Sequence, residues 1–423
     1  MRRILNRNAA PVAREWLAHF PALIIEGARQ VGKSTFATMV ADPTALITTF
    51  DDPATLAAAQ ADPTGFIDQA AGSQMIIDEI QRFPEITLPV KASIDADRRP
   101  GRFILTGSSS LLRVRGTADS LAGRAARLNL YGLSQGETRA ENDDIADAIL
   151  ADPPALARAS DGADRSEYAE FLAAGAYPEI RQASARIRNA WLDSYVSNIT
   201  GRDLPELGRM VDSARAIAIL RTLAGRQAAE LVKAKLADET SVPAGTITRY
   251  IDLLHDVGLV SSIPAWTPNL AKREIARPKT FVSDPALALR LARMTAGQLT
   301  GMHYGEAFGS ALEAFVASEL MKQRTWSAQD YQLFHWRDSD GGEVDLILEF
   351  GDGTVVAFEV KAAKSFAAHH FRGLKQLRDA LGPRFLAGVV LNTSTSGYRY
   401  ADRLWGAPIS SLWTMKTAPA ANG

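Results

Sequence analysis

Residues 22–41 read ALIIEGARQVGKSTFATMVA, an apolar run, a glycine-bearing loop and a stretch with helical spacing. Gly27, Ala28, Arg29, Gln30, Val31, Gly32, Lys33 and Ser34 fit the pattern G-x-x-x-x-G-K-[ST], with Thr35 next in line. The glycines let backbone N–H groups curl around phosphate oxygens, and the helix that follows adds its positive N-terminal end. Lys33 is expected to reach the β- and γ-phosphates of a nucleotide, and the Ser34 hydroxyl to ligate Mg²⁺. The motif lies between the strand and the helix it requires, so it decides the fold class of the first 135 residues.

Outward from the loop, strand-like and helix-like segments alternate, as in an α/β domain with a parallel sheet. ALITTFDD (45–52), SQMIIDEIQ (73–81) and GRFILTGSSS (101–110) read as strands, and LPVKASIDADR (88–98) as a helix. The run MIIDEI ends in Asp78 and Glu79. In that place Asp78 is expected to hold Mg²⁺ through water, and Glu79 to orient or deprotonate an attacking water. Thr106 and Ser108 close the next strand at the same sheet edge, within reach of that water or of the γ-phosphate.

GARQVGKST, IIDEIQ, ILTGSSS and SLAGRAARLNLYGLS occur in this order. The series resembles a large group of prokaryotic AAA+-like P-loop ATPases whose C-terminal half is a domain of unknown function. FLAAGAYPEI, YVSNITGRDL, ARPKTFVSDPAL, FGSALEAFVASEL and HWRDSDGGEVDLILE are similar to further segments of that group, so the likeness covers nearly the whole chain. It implies ATP and Mg²⁺ as cofactors, hydrolysis as the activity and ring-like or nucleotide-dependent homo-oligomers. It also implies an arginine that senses the γ-phosphate, in cis or from a neighbouring subunit. Arg124 is the candidate, with Arg127 and Arg29 behind it.

At 423 residues the chain is too long for one ordinary core. A formal net charge of −1 supplies no global field toward nucleic acid, so a DNA-binding surface has to be local. With no cysteine, disulfides, thiolate metal sites and cysteine nucleophiles are excluded. The start, MRRILNRNAAPVAREWL, is basic without a long apolar stretch, and the longest apolar runs fall short of a membrane span. These features predict a cytoplasmic protein with no membrane partner.

Residues 137–167 are acidic, rich in Ala and Asp and interrupted by a Pro pair, which predicts a surface excursion near a domain boundary. Residues 225–266 have the cadence of a winged helix-turn-helix: a helix, a turn at ETSVPAG, a second helix TITRYIDLLHDVG and an extended LVSSI. Thr246, Thr248 and Arg249 open the second helix, but Asp252 and Asp256 follow. A basic run, Lys272, Arg273, Arg277 and Lys279, lies just beyond. DNA binding and protein packing both remain open uses for this segment.

Near the C-terminal end, EVDLILEFGDGTVVAFEVKA (343–362) reads as a hairpin turning at Gly-Asp-Gly. A turn centred on Asp352 sets Asp345 opposite Glu359 and Glu343 opposite Lys361, all on one face. Crowded carboxylates resist joint ionisation unless a cation neutralises them. FGSALEAFVASELMKQR (308–324) supplies an amphipathic helix with Glu313 beside its apolar face. The order helix, hairpin, helix, strand, with Asp345 and Glu359-Val360-Lys361, resembles the PD-(D/E)XK nuclease fold. That likeness implies a second Mg²⁺ or Mn²⁺ on Asp345, Glu359 and the Val360 carbonyl, with Glu313 assisting and Lys361 stabilising charge. The alternative is a Glu343–Lys361 ion pair on a solvated face.

The sequence therefore predicts an α/β multidomain protein. Residues 1–135 form an AAA+-like P-loop domain, 136–215 an acidic linker and helical region, 216–295 a winged helix and 296–423 a restriction-endonuclease-like domain. The leading function is a Mg²⁺-dependent ATPase whose nucleotide state governs the C-terminal half, acting on DNA. The rival is a nucleotide-switched scaffold whose C-terminal domain binds a partner without cutting. A small-molecule kinase is disfavoured by the Asp78-Glu79 pair, which suits water as acceptor.

Overall fold

The computed structural model describes residues 4–108, 121–160, 162–207, 211–268, 273, 276–338 and 341–416. The chain divides into two compact units, Met1–Leu133 with Asp256–Gly258, and Ser134–His255 with Leu259–Gly423. Among the described residues no helix is long and apolar enough to cross a membrane.

In the first unit five strands pair in the order β2-β3-β4-β1-β5 among the described residues. They are β1 (Ala22–Gly27), β2 (Leu46–Thr49), β3 (Met75–Asp78), β4 (Phe103–Ser108) and β5 (Ala125–Asn129). Every pairing is parallel. Both neighbours of β1 are strands, and all six of its residues are buried, which is why ALIIEG reads as a continuous apolar run rather than an alternating one. At the edge, β2 leaves Ile47 exposed. Helices α1 (Ala10–Leu17), α2 (Lys33–Val40), α3 (Pro53–Ala61), α4 (Pro63–Asp68) and α5 (Thr87–Ala96) follow the chain around the sheet. Asp52 and Asp62 cap α3 and α4 by accepting from the N–H groups of Thr55 and Gly65, with Pro just inside each helix. Phe50, Phe66, Ile67, Ile86, Val90 and Ile94 pack against the strands in one core.

The second unit carries two sheets among the described residues. The smaller joins β6 (Ala229–Glu230), β7 (Val260–Ile263) and β8 (Lys279–Val282) in the order β6-β8-β7, all antiparallel. Helices Lys233–Thr240 and Ala244–Asp256 precede β7, at the positions the sequence cadence gives them. The larger has the order β13-β14-β12-β11-β10-β9, with β9 (Tyr331–Arg337), β10 (Glu343–Phe350), β11 (Val355–Lys361), β12 (Phe385–Asn392), β13 (Tyr398–Ala401) and β14 (Leu404–Pro408). β9, β10 and β11 are an antiparallel meander, and helix Arg372–Leu381 carries the chain to β12, parallel to β11. Leu312, Phe315 and Val316 of helix Gly305–Gln323 share one core with Leu346, Leu348 and Phe358. Leu374, Leu377 and Leu381 share another with Val344, Ile347, Val355 and Ala357.

Residues 137–167 are not the surface excursion their acidity suggests. Ile145, Ala148, Ile149 and Leu156 are buried in the core that includes Leu312 and Phe315. Asp143 is buried and accepts from the Gly136 N–H, and Ser134 with Glu137 forms a capping box. Glu137 and Asp143 cap and anchor backbone from buried positions, while Asp164 and Glu167 stay exposed.

Candidate functional site

The loop between β1 and α2 has the geometry that phosphate binding needs. Gly27 lies against the segment just after β5 so closely that a Cβ there would sit 2.1 Å from the Leu130 carbonyl oxygen. Gln30 and Gly32 have φ of 65° and 93°, and so turn the chain through left-handed backbone. Gln30 adopts this without being glycine, a conformation that L-residues seldom hold without support. The Lys33 side chain is buried and donates to the carbonyls of Gly27 at 3.2 Å and Ala28 at 3.0 Å. Burial lowers the Lys33 pKa, and the carboxylates of Glu79 and Asp78 oppose that change. Ser34 and Thr35 are exposed at the N-terminal turn of α2.

The parallel register brings the ends of β1, β3 and β4 to one edge of the sheet. The Ser34 hydroxyl donates to both carboxylate oxygens of Asp78, at 2.9 and 3.0 Å. Thr106 donates to the same carboxylate, and Thr49 approaches it at 3.5 Å. Glu79 has φ 58°, and its N–H donates to the Thr106 hydroxyl at 3.3 Å. Gln81 donates to Glu79, while its own carbonyl oxygen accepts from the Ser108 N–H at 3.4 Å. A hydroxyl and a carboxylate this close are the oxygen donors that Mg²⁺ takes beside phosphate. The residues at hand therefore fit a Mg²⁺–nucleotide, with Ser34 and Asp78 to hold the ion.

Two residues of this site carry no motif signal. Arg7 is buried, and its guanidinium donates to the carbonyls of Val31 at 3.0 Å and Tyr131 at 2.7 Å, bracing the loop from the N-terminal segment. Gln81 stands two residues past Glu79, at the end of the quoted IIDEIQ, where no role was read for it.

Arg124 lies at the other end of the sheet. Its carbonyl accepts from the Ala22 N–H where β1 begins, and its guanidinium grips Asp95 at 2.7 and 2.9 Å. From Ala22 to Gly27 the strand rises roughly 17 Å. Arg124 therefore does not reach the phosphate loop of its own chain, which corrects the expectation of a sensor in cis. Arg127 stands 3.7 Å from Glu26.

In the second unit the hairpin turns where the sequence centres it. Gly353 has φ 81°, and its N–H donates to the Phe350 carbonyl at 2.9 Å. The β10–β11 pairs run from Leu346↔Phe358 to Glu349↔Val355. Between Val344 and Ile347 the β9–β10 register shifts, a bulge in the stretch that carries Asp345. Asp345 is buried, and one of its oxygens accepts from the Val360 N–H at 2.9 Å.

Lys279, buried at the start of β8, stands 2.6 Å from Glu313, 3.1 Å from Glu343 and 3.3 Å from Asp345. Lys361 pairs with Glu359 at 2.5 Å, not with Glu343 as the alternative sequence reading had it. Burial works against the Lys279 ammonium, but the three carboxylates outweigh it and raise its pKa. Burial, then repulsion from Asp345, raises the pKa of both Glu313 and Glu359. Among the described residues no group of three or more acidic or imidazole side chains is arranged to hold a metal ion. The second metal expected on Asp345, Glu359 and Glu313 thus does not fit this arrangement, because a lysine fills it.

Two cations of the basic run after the 244–256 helix, Arg273 and Lys279, turn inward. Arg273 makes a two-pronged pair with Glu349, at 2.5 and 2.8 Å, and covers Phe334. With Lys279 among carboxylates, these two cations do not face a phosphate backbone. Arg277 is exposed, and Lys272 lies outside the described residues.

Residues 19–139 match the family described as AAA domain. Residues 165–298 and 308–412 each match a domain of unknown function, DUF8612 and DUF4143. An uncharacterized protein of Mycobacterium tuberculosis and one of Mycobacterium bovis are each 28% identical over 359 residues, 85% of this chain and 74% of theirs. A solved structure of Thermotoga maritima RuvB is 17% identical with a TM-score of 0.29, over 64% of this chain and 88% of that one. The S. cerevisiae Hsp104-ADP complex is 12% identical with a TM-score of 0.30, over 76% and 44%. Likeness at those scores carries no argument about this chain. The AAA match supports an AAA+-like P-loop ATPase domain at residues 19–139.

Proposed function

We propose that this protein binds and hydrolyses ATP with Mg²⁺ at the β1–α2 loop, and that the nucleotide state governs its C-terminal half. The observation that carries this reading is the Ser34–Asp78–Thr106 cluster at the edge where the phosphate loop ends, with Glu79 next in the chain. Mg²⁺, when bound with ATP, would neutralise charge on the phosphate oxygens. Lys33 would bind those oxygens after exchanging its two carbonyl acceptors for them. Glu79, steadied by Gln81, would hold the attacking water and take its proton. Thr106 keeps Asp78 and the Glu79 backbone in register. The test is binding of a fluorescent ATP analogue: Lys33→Ala should lose affinity, and chelating Mg²⁺ should weaken binding to the unaltered protein. Unchanged affinity in Lys33→Ala would refute the assignment.

For the C-terminal half, the inward-facing cations favour the reading in which it binds a protein partner rather than cutting DNA. Its helix–meander–helix–strand order remains like that of PD-(D/E)XK nucleases, and the 225–282 segment like a winged helix. Assembly into homo-oligomers would let an arginine of a neighbouring copy complete the nucleotide site, and Arg124 is the proposed residue.

A further inference from the structure

We infer that the ammonium of Lys279 holds the place of a divalent cation among Glu313, Glu343 and Asp345, so that the C-terminal module is braced by its own lysine and takes no metal while β8 is seated. This deepens the partner-binding reading of that half and is independent of the nucleotide site.

Three observations carry it. The first is occupancy. The Lys279 ammonium donates to Glu313 at 2.6 Å and to Asp345 at 3.3 Å, and stands 3.1 Å from Glu343 as an ion pair. The second is size. Mg²⁺ draws its oxygens to about 2.0–2.1 Å, so oxygens spread to suit N–H···O bonds lie too far from this centre for that ion. Of the remaining donors in the cluster, one Asp345 oxygen is taken by the Val360 N–H and Glu359 Oε1 by Lys361, while Glu359 Oε2 is buried without a hydrogen-bond partner. The third is anchorage. β8 is the middle strand of its sheet, and Lys279 sits in register with Glu230 on one side and Ile263 on the other. Its side chain is therefore not a loose arm that a passing ion displaces. Removing it means withdrawing a paired strand or altering the residue.

The pairing also relieves the repulsion between Asp345 and Glu359 that the hairpin sequence creates. A buried charge without a partner is costly, and this arrangement gives each of the two ammoniums an acid. Without a metal there is no metal-activated water, and the nuclease-like outline does no phosphodiester chemistry in this state. Glu313, Glu343, Asp345 and Lys279 instead tie helix Gly305–Gln323, the hairpin and the small sheet to one another.

The experiment is Mn²⁺ titration followed by electron paramagnetic resonance on the nucleotide-free full chain. The unaltered protein, Lys279→Met, and Lys279→Met with Asp345→Asn are compared. The unaltered protein should show no Asp345-dependent Mn²⁺. Lys279→Met should gain one Mn²⁺, bound about tenfold or more tighter, the least that removing a unit charge a few ångströms away implies. Adding Asp345→Asn should abolish the gain. Asp345-dependent Mn²⁺ in the unaltered protein overturns the inference, and so does a folded Lys279→Met that binds none. Should Lys279→Met fail to fold, the melting temperature of the unaltered protein with and without Mn²⁺ decides. No shift is expected, and a rise that Asp345→Asn removes overturns the inference. None of these outcomes bears on ATP hydrolysis, so failure here and failure of the nucleotide assignment are distinguishable.

Discussion

Asp78 collects hydrogen bonds from Ser34 and Thr106, so its carboxylate is oriented by two other segments before any ligand arrives. Glu79 sits beside it in left-handed backbone at φ 58°, a conformation held by the Thr106 hydroxyl on its N–H. Glu79→Gln should keep ATP affinity while lowering turnover by about 10²–10⁴-fold, the usual worth of a general base. Single-turnover phosphate release beside equilibrium binding separates the two effects. Arg7→Ala removes donors to Val31 and Tyr131, and should weaken nucleotide binding while leaving the fold largely intact, as read by titration and circular dichroism. That Ser34, Asp78, Glu79 and Thr106 would meet was legible because motif order along the chain maps directly onto one sheet edge. Arg7 was not, since a bond across 24 residues leaves no periodicity. That Arg124 stands too far to act in cis was not legible, because a sequence does not say at which end of a strand an arginine will stand.

At the scale of elements, β1 and β5 approach closely enough that Gly27→Ala would press a Cβ against the Leu130 carbonyl. That variant should lower the melting temperature of the first unit and lose nucleotide together, which calorimetry with and without ATP checks. In the second unit the hairpin's turn was readable from Gly-Asp-Gly, but the bulge at Asp345 was not, because period-two alternation assumes an unbroken ladder. Nor was Lys279, which arrives from a strand 66 residues away. The cluster has a pH signature. Burial and the neighbouring Asp345 push Glu313 and Glu359 up to about 8, so the folded state holds protons that the unfolded state has released. Their contribution is fully present below the ordinary glutamate range and is lost as pH rises through about 8. Lys279 and Lys361, both raised, keep theirs throughout that window. The urea midpoint of the second unit should therefore fall from pH 6 to pH 9, and Glu359→Gln should flatten the fall. A midpoint that rises over this range would contradict the account.

For the whole molecule, the sequence disclosed an α/β P-loop domain at the front, and where it predicted a restriction-endonuclease-like domain at the back the structure has a six-stranded mixed sheet. It misjudged the acidic stretch between them, where Ile145 and Ile149 outweigh the acids. Sensing in trans predicts that Mg²⁺-ATP promotes self-association of Glu79→Gln, seen by light scattering, and that Arg124→Ala lowers turnover only at concentrations where copies associate. Whether the P-loop domain hydrolyses ATP is decided by steady-state phosphate release from Mg²⁺-ATP, with unaltered protein beside Lys33→Ala and Glu79→Gln. Turnover is expected in the first and none above background in the other two. Equal turnover in all three would contradict hydrolysis at this site.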